Sequence, residues 1–293
     1  MSTEHFAKFL AAIGHRVIRT EAAHWYDASW GFFLSVPSHQ LLTPAPADLR
    51  AVLRQQPCFG VRFPAPIEGP GKLSYQIVCE ASDYGIELLS ANVRSKVRRG
   101  LRRCEIAPVP FPIVATSGLA ANQDTLTRQG RRARLNERRW GSYWRAAAAT
   151  PGMEAWGAFV GGELAAFLVS VELGDCVEFL LARSRSDRLD AYPNNALIFR
   201  VAEEMLVRRG MREITFGLES LEPVEPLDQF KFSMGFRPKP LRQRVIFHPL
   251  VREVLQPAAV RAFFYRRAQH RRAGAVFWRK AAGLLRFAEE AGF

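Results

Sequence analysis

The sequence has few cysteines and no paired metal-ligand motif. Its 4 cysteines are scattered, none in a C-x-x-C pair, and its 6 histidines show no H-x-x-x-H spacing. Disulfide frameworks and zinc sites use such pairs at short spacing. We therefore expect buried, reduced cysteines and no bound metal.

Long apolar runs are also missing. No stretch reaches the roughly 18 apolar residues of a membrane span, and MSTEHFAKFLAAIG lacks the basic start and long apolar core of a signal peptide. The composition, 48% hydrophobic and 24% charged, is ordinary for a globular chain. We expect a cytoplasmic protein of two lobes, with peripheral binding at the inner membrane face as a further expectation.

Positive charge is in excess. The formal net charge is +13, and the basic residues cluster in residues 90–103, 128–139 and 251–293. The first cluster reads SANVRSKVRRGLRR, with Val93, Val97 and Leu101 repeating every four residues. This predicts a helix docked on the protein body by a narrow apolar stripe. Its outward bases, Arg94, Arg98 and Arg102, are candidates for contact with a phosphorylated ligand, the alternative being a solvated surface.

The last cluster interleaves aromatic residues with arginines over residues 251–293. This composition is typical of interfacial amphipathic helices and of nucleic-acid surfaces. The alternatives are helices packed on the second lobe, contact with an anionic membrane surface, and contact with nucleic acid.

Residues 153–184 carry the clearest secondary-structure pattern. AWGAFV, ELAAFLVSVEL and CVEFLLARS are separated by GG and GD turns, which predicts an antiparallel meander. A helix ending at Gly210, a strand EITFGLES, a short helix LDQFKFSMGF and a strand LRQRVIFHPL follow. In the first third we predict helices in HFAKFLAAIG and ADLRAVLRQQ, strands in GFFLSVP, CFGVRF and KLSYQIVCE, and in CEIAPVPFPIV an extended join between lobes.

Three short motifs in this order resemble the Fem-type aminoacyl transferases of the GNAT acyltransferase superfamily. They are Pro193-Asn194-Asn195-Ala196-Leu197, the Gly210 to Phe216-Gly217 strand, and Phe230-Lys231 to Gly235-Phe236. The resemblance covers about residues 90–247. It implies an α/β fold with a GNAT-type mixed, largely antiparallel sheet flanked by helices. The expected domains are a degenerate GNAT-like lobe (1–110), a GNAT acyltransferase lobe (111–250) and a basic helical tail (251–293).

The resemblance implies an N-acyltransferase in which an amine attacks the acyl donor directly. The donor expected is acetyl-CoA or another acyl-CoA, and the acceptor a small-molecule or peptide amine. RSRSDRLDAYPNNALI lacks the glycines of the usual CoA pyrophosphate loop. Fem-type proteins share this loss and some use charged tRNA, so an aminoacyl-tRNA-dependent transferase is one alternative. A non-catalytic protein that binds nucleic acid or a membrane surface is the other.

Candidate site residues follow from the resemblance and from the predicted strand ends. Glu178 and Glu219 are candidate general bases, the alternative for Glu178 being a solvated or paired strand residue. Tyr192 is a candidate general acid, although a buried hydrogen-bonded tyrosine is commoner. The donor-binding candidates are Leu181, Ala182, Arg183, Asn194, Asn195 and Lys231.

Overall fold

The computed structural model describes residues 1–29, 31–55, 57–130, 137–222, 225–269 and 275–289. Within these ranges the chain forms ten α-helices and eleven strands. The helices are α1 (Thr3–Ala12), α2 (Pro46–Leu53), α3 (Ala91–Arg103), α4 (Phe111–Arg128), α5 (Glu137–Ala148), α6 (Pro193–Glu203), α7 (Glu225–Ser233), α8 (Pro249–Leu255), α9 (Ala258–Gln269) and α10 (Ala275–Glu289). The strands are β1 (Val17–Arg19), β2 (His24–Ser29), β3 (Phe32–Val36), β4 (Gly60–Ala65), β5 (Lys72–Cys79), β6 (Glu105–Pro108), β7 (Met153–Val160), β8 (Glu163–Leu173), β9 (Cys176–Ser184), β10 (Glu213–Leu218) and β11 (Arg237–Phe247).

The chain divides into two compact units. Unit 1 comprises residues 1–13, 77–217 and 226–237, and unit 2 comprises residues 14–76, 218–225 and 238–293. Each unit is therefore assembled from segments that are distant in sequence. The sequence-based division at residues 110 and 250 stays a prediction.

Unit 1 contains the predicted meander. Its strands lie in the order β10-β9-β8-β7-β6, with antiparallel pairing throughout except for the parallel pair β9 and β10. β8 is buried along nearly its whole length, because helices cover the sheet. Trp140 and Trp144 of α5 pack edge-on against Phe167 of β8, and α6 also packs on β7 and β8. The predicted mixed, largely antiparallel sheet flanked by helices is confirmed.

The segment CEIAPVPFPIV differs from the extended join expected of it. Residues 105–108 form edge strand β6, which pairs with β7, and α4 begins at Phe111, within this segment. Pro110 and Pro112 flank that helix start, where a missing N–H costs nothing because the first amides of a helix have no partner within it. These prolines therefore mark the turn between strand β6 and helix α4.

Unit 2 orders its strands β1-β2-β3-β4-β11-β5, where β5 contributes residues 72–76. β11 pairs antiparallel with β4 from Arg242↔Ala65 to Phe247↔Gly60. One apolar cluster surrounds Trp25, Phe33 and Phe63. A second joins Phe32, Val245, Phe247 and Leu255 to the buried side of α10, with Leu284, Leu285, Phe287 and Ala288.

The tail therefore contributes to the core of unit 2. α10 packs against Phe32 of β3 and against Val245 and Phe247 of β11, and it also contacts α9. Phe263 and Phe264 of α9 meet Trp278 edge-on. No helix of the described ranges is long and apolar enough to cross a membrane.

The cysteines match expectation. All four are buried and none is bonded to another. Burial raises the pKa of each thiol, most strongly for Cys176.

Candidate active site

A fork between β9 and β10 in unit 1 is the main candidate for a reaction site. The two parallel strands pair at Glu213↔Cys176, Ile214↔Val177 and Thr215↔Glu178. β9 then runs on to Ser184 beyond the last paired position. Ligands of α/β proteins bind where neighbouring parallel strands separate at their carboxyl ends.

β9 carries a β-bulge at this fork. Opposite β8, Leu181 pairs with Val169 and Phe179 with Ser170, so Leu180 is the extra residue. A bulge takes its extra residue out of the ladder and re-aims the backbone. The N–H groups of this part of β9 are therefore suited to polarise a carbonyl held in the fork. Leu181 and Ala182, predicted to bind the donor, directly follow the bulge.

Arg183, the third predicted donor-binding residue of β9, is held by protein contacts. Its Nε donates to Asn122 Oδ1 at 2.8 Å and its Nη1 to the Ala182 carbonyl at 2.9 Å. Asn122 is only 5% exposed. The charge of Arg183 also acts on Tyr143. Burial raises the pKa of Tyr143, and the positive charge of Arg183 only reduces this rise.

Side chains of α4 form hydrogen bonds with the backbone at the end of β9. Thr125 Oγ1 accepts from Ser184 N–H at 2.9 Å and donates to the Ser184 carbonyl at 2.9 Å. The Asp124 carboxylate accepts from both the N–H and the Oγ of Ser186, the latter at 2.7 Å. These two bonds are the main reason why the Asp124 pKa is lowered. Asp124 and Thr125 had no motif to reveal them in the sequence.

The N-terminus of α6 follows this segment. Tyr192 stands before Pro193 in the left-handed region, with φ 56° and ψ 42°. Asn194 Nδ2 donates to Ser184 Oγ at 3.0 Å, and Asn195 Nδ2 lies 3.5 Å from Met234 Sδ. Both asparagines point to protein partners, and Tyr192 marks the entry to the helix.

The predicted basic helix lies against this N-terminus. α3 runs unbroken from Ala91 to Arg103, with Gly100 inside it. A Cβ on Gly100 would lie 2.7 Å from the Tyr192 carbonyl oxygen and 2.9 Å from Ala196 Cβ. Gly100 is buried with Val93 and Val97, which confirms the docked stripe except that Leu101 is only half-buried.

The arginines of α3 have different environments. The Arg99 guanidinium stacks 4.8 Å from the centre of the Tyr192 ring. Arg94 and Arg98 reach Glu87 at 3.0 and 3.8 Å, and Glu87 is 76% exposed. Arg102 is exposed. Since exposed pairs are weak, the helix still presents a cationic surface.

Lys231 is not a surface lysine. Its Nζ lies 2.8 Å from Asp228 Oδ1 and 5.4 Å from the centre of the Phe216 ring, and its side chain is 15% exposed. Asp228 lies three residues earlier in α7, one helical turn away. The spacing of Asp228 and Lys231 is visible in the sequence. The contact with the ring of Phe216 places Lys231 beside β10.

The two candidate bases fall in different units. Glu178 of unit 1 is half-buried at the last paired position of β9 and β10. Glu219 belongs to unit 2, where its Oε2 accepts from Ser74 Oγ at 2.6 Å. Glu178 is therefore the candidate that belongs to the fork.

Several solved structures have folds similar to that of this chain. FemX matches with a TM-score of 0.59 at 11% identity, over 86% of this chain and 93% of that one. L-PGS from Bacillus licheniformis matches with a TM-score of 0.56 at 12% identity, over 93% of each chain. The chain has a Fem-type, GNAT-like fold. The C-terminal domain of an Agrobacterium fabrum protein named as a lysylphosphatidylglycerol synthetase matches with a TM-score of 0.56 at 11% identity, over 88% of this chain and 95% of that one.

No protein-family model and no curated protein sequence matches the chain. The likeness to solved structures therefore concerns the Fem-type fold, and the chemistry must be argued from the residues of the fork.

Proposed function

We propose that the protein is an acyl-group transferase whose reaction takes place at the fork between β9 and β10. The observation that carries the proposal is the bulge at Leu180, at the point where the parallel strands stop pairing. An N–H of residues 180–183 would hold the carbonyl oxygen of the acyl group as negative charge develops on it. Glu178 would take the proton of the attacking amine, directly or through water, as the new C–N bond forms. The bond from the acyl carbon to the donor's oxygen or sulfur would then break, and this proton would pass to the leaving group.

The donor we favour is an aminoacyl ester of tRNA rather than acyl-CoA. A CoA diphosphate is normally bound by backbone N–H groups between a strand and the following helix. Here the N–H of Ser184 donates to Thr125 and that of Ser186 to Asp124. The N–H groups of Arg185, Tyr192 and Ala196 donate to backbone carbonyls. A diphosphate would have to displace these bonds and approach the Asp124 carboxylate.

The cationic face of α3 and the named relatives support the same donor. α3 packs against the start of α6 through Gly100 and presents exposed arginines, as a contact with tRNA phosphates requires. Two of the similar structures are named for lysylphosphatidylglycerol synthesis, whose product carries an aminoacyl group. An amine or hydroxyl acceptor is compatible with this chemistry.

Thermal-shift titration separates the two donors. A ligand at 100 times its dissociation constant stabilises a protein by about 2.7 kcal/mol. We expect no shift with CoA or acetyl-CoA, and binding of aminoacyl-tRNA that weakens when Arg98 and Arg102 are changed to Glu. A saturable shift with acetyl-CoA, together with tRNA binding that is unchanged in the charge-reversed variant, would overturn this choice of donor.

Contact with an anionic membrane through the tail is a separate proposal. Leu250 and Val254, one turn apart on α8, are 67% and 65% exposed, and Arg252 lies between them in sequence. Exposed aliphatic residues beside arginines suit a lipid interface. Wild-type protein should float with anionic liposomes, and the double variant Leu250→Ser and Val254→Ser should float less. Equal flotation of both would contradict the proposal.

A further inference from the structure

A cavity in unit 1 is lined by residues that were not assigned to the fork. It lies where the segment before α3 meets the end of α7 and the start of β11, and its volume is about 360 Å³. Small-molecule sites in proteins begin at about 300 Å³. The side chains that line it are Leu88, Leu89, Ser90, Phe232, Ser233 and Arg237. All six belong to unit 1, so the cavity lies within one compact unit.

The floor of the cavity is apolar and closely packed. Leu89 is 3% exposed, and Phe232 of α7 is half-buried. Tyr84 is buried, and its Oη donates to the Met234 carbonyl at 2.7 Å. A Cβ on Gly235 would lie 3.1 Å from the Tyr84 ring and 3.8 Å from Leu89 Cδ2, so the turn after α7 is held against these side chains. The cavity is therefore formed by packed residues.

The open side of the cavity carries two hydrogen-bond donors that the protein does not use. Arg237 is exposed at the start of β11, and its guanidinium has no hydrogen bond and no ion pair among the described residues. Ser90 is also exposed, and its hydroxyl makes no hydrogen bond to the helix that it precedes. Ser233 Oγ, by contrast, donates to the Phe230 carbonyl at 2.7 Å. The donors available to a ligand are therefore those of Arg237 and Ser90.

The carboxylates of this region do not occupy the Arg237 guanidinium. Glu87, which precedes Leu88, lies 3.0 and 3.8 Å from two guanidinium groups of α3. Burial raises the pKa of the Cys79 thiol most, while Arg237 lowers it and Glu80 raises it. Both charged groups thus lie near this thiol, yet no ion pair joins them within the described ranges. Arg237 can therefore bind an anion without breaking an ion pair.

We propose that this cavity binds an amphiphilic anion, a carboxylate or phosphate head attached to a short apolar chain. Arg237 binds the head through the paired N–H groups of its guanidinium, and the Ser90 hydroxyl donates to a further oxygen. The chain lies against Leu89 and Phe232 and covers Leu88, which is 48% exposed without a ligand. The site does not depend on the transfer reaction proposed for the fork.

Calorimetric titration of the whole protein with hexanoate and with hexyl phosphate tests the site. Constant ionic strength, with chloride as the balancing ion, keeps the general attraction of a +13 protein equal in every titration. Acetate is the head without the chain, and hexanol is the chain without the head. We expect saturable binding of at least one hexyl anion, tighter than acetate or hexanol by about tenfold or more, because each buried methylene contributes up to about fourfold. The tighter hexyl anion identifies the head group.

Two variants test the two halves of the site. Arg237→Gln should weaken binding of the hexyl anion by about tenfold, because it removes the hydrogen bonds to the charged head. Leu88→Ser should weaken it several-fold, because it removes apolar surface from the wall. Lys239→Gln is the matched control, since it removes one positive charge from the same strand at a position that does not line the cavity. It should change the affinity by less than about twofold.

Four results would each overturn the proposal. They are the absence of saturable binding of both hexyl anions, equal affinity for a hexyl anion and for acetate or hexanol, undiminished binding in Arg237→Gln or Leu88→Ser, and equal weakening in Arg237→Gln and Lys239→Gln. The last result would mean that the anion responds only to the general charge of the protein. None of these bears on the transfer reaction, whose own test uses tRNA and CoA.

Discussion

The two units each contain a polar network, and the networks are completed in different ways. In unit 1, Asp124, Thr125 and Asn194 converge on Ser184 and Ser186, and the carboxylate lies 3.7 Å from the Arg128 guanidinium. In unit 2, Arg62 is held by an amide and a carbonyl. The first network closes a backbone segment, whereas the second joins the Arg62 guanidinium through Gln243 and Ser74 to the Glu219 carboxylate.

The unit 1 network satisfies the backbone of one segment, whereas the unit 2 network links side chains of β4, β11 and β5. A network that satisfies its own donors and charges contributes stability and excludes a competing ligand. The comparison therefore predicts that removing a group that satisfies the unit 1 network destabilises the protein, whereas removing the Gln76 amide of unit 2, whose Nε2 has no partner among the described residues, does not.

Thr125→Val should have the largest effect on stability. The hydroxyl satisfies both the N–H and the carbonyl of Ser184, which is 2% exposed. Valine leaves both groups without a partner, at a cost of about 3 kcal/mol in the free energy of unfolding. Chemical denaturation measures it. Thr116→Val on the same helix is the control, since that hydroxyl bonds carbonyls of its own helix near solvent, and the two variants should not be equally destabilised.

Gly100→Ala tests the contact between α3 and α6 in unit 1. The new methyl group overlaps the Tyr192 carbonyl and Ala196, and overpacking costs about 1–3 kcal/mol. Gly141→Ala in α5 is the matched helical glycine, because its nearest neighbour is Arg145 Nη1 at 3.5 Å. There alanine should stabilise by up to about 1 kcal/mol through helix propensity. Opposite signs in thermal unfolding are expected, and a stabilised Gly100→Ala protein would mean that α3 is not docked closely.

Gln76→Leu should change stability less, and in the opposite direction to Thr125→Val. Removing a buried amide donor that has no partner in the described residues relieves its desolvation cost. We expect the free energy of unfolding to rise by about 1 kcal/mol, as measured by denaturation. Ser170→Ala is the comparison in unit 1, since its hydroxyl is also buried without a partner among the described residues. Strong destabilisation of Gln76→Leu would show that the amide is already satisfied.

The sequence predicted the elements better than their assembly. The meander of residues 153–184, the helix from Pro193 and the strand ending near Leu218 were readable, because alternation and Gly-containing turns are local signals. The bulge at Leu180 and the pairing of β11 with β4 were not, since both depend on partners far along the chain. Arg62 and Gln243 are 181 positions apart.

The site residues also divide into those that the sequence predicted and those that it did not. Lys231 came from a short motif and Glu178 from its position in a predicted strand, and the structure places them beside β10 and along β9. Asp124 and Thr125 bind the N–H groups of the segment that was expected to hold phosphates. They lie on α4, where neither residue has a distinctive sequence context. Tertiary packing decides which side chains of one element bind the backbone of another. The role of such a side chain can be recognised only when its hydrogen-bond partner is known.

Acidification should act on unit 1 through Asp124, with the smallest of these effects. The Asp124 pKa is lowered in the folded protein by its bonds to Ser186, so its contribution is complete above the unfolded pKa and is lost as pH falls through the folded pKa. Below about pH 4, wild type should lose stability faster than Asp124→Asn, which cannot titrate. Denaturation curves at several pH values measure the difference, and Asp175→Asn, which removes an exposed partner of Arg212, controls for general charge. Identical pH profiles for wild type and Asp124→Asn would show that the carboxylate does not hold the Ser186 amide, and would leave that amide to a ligand.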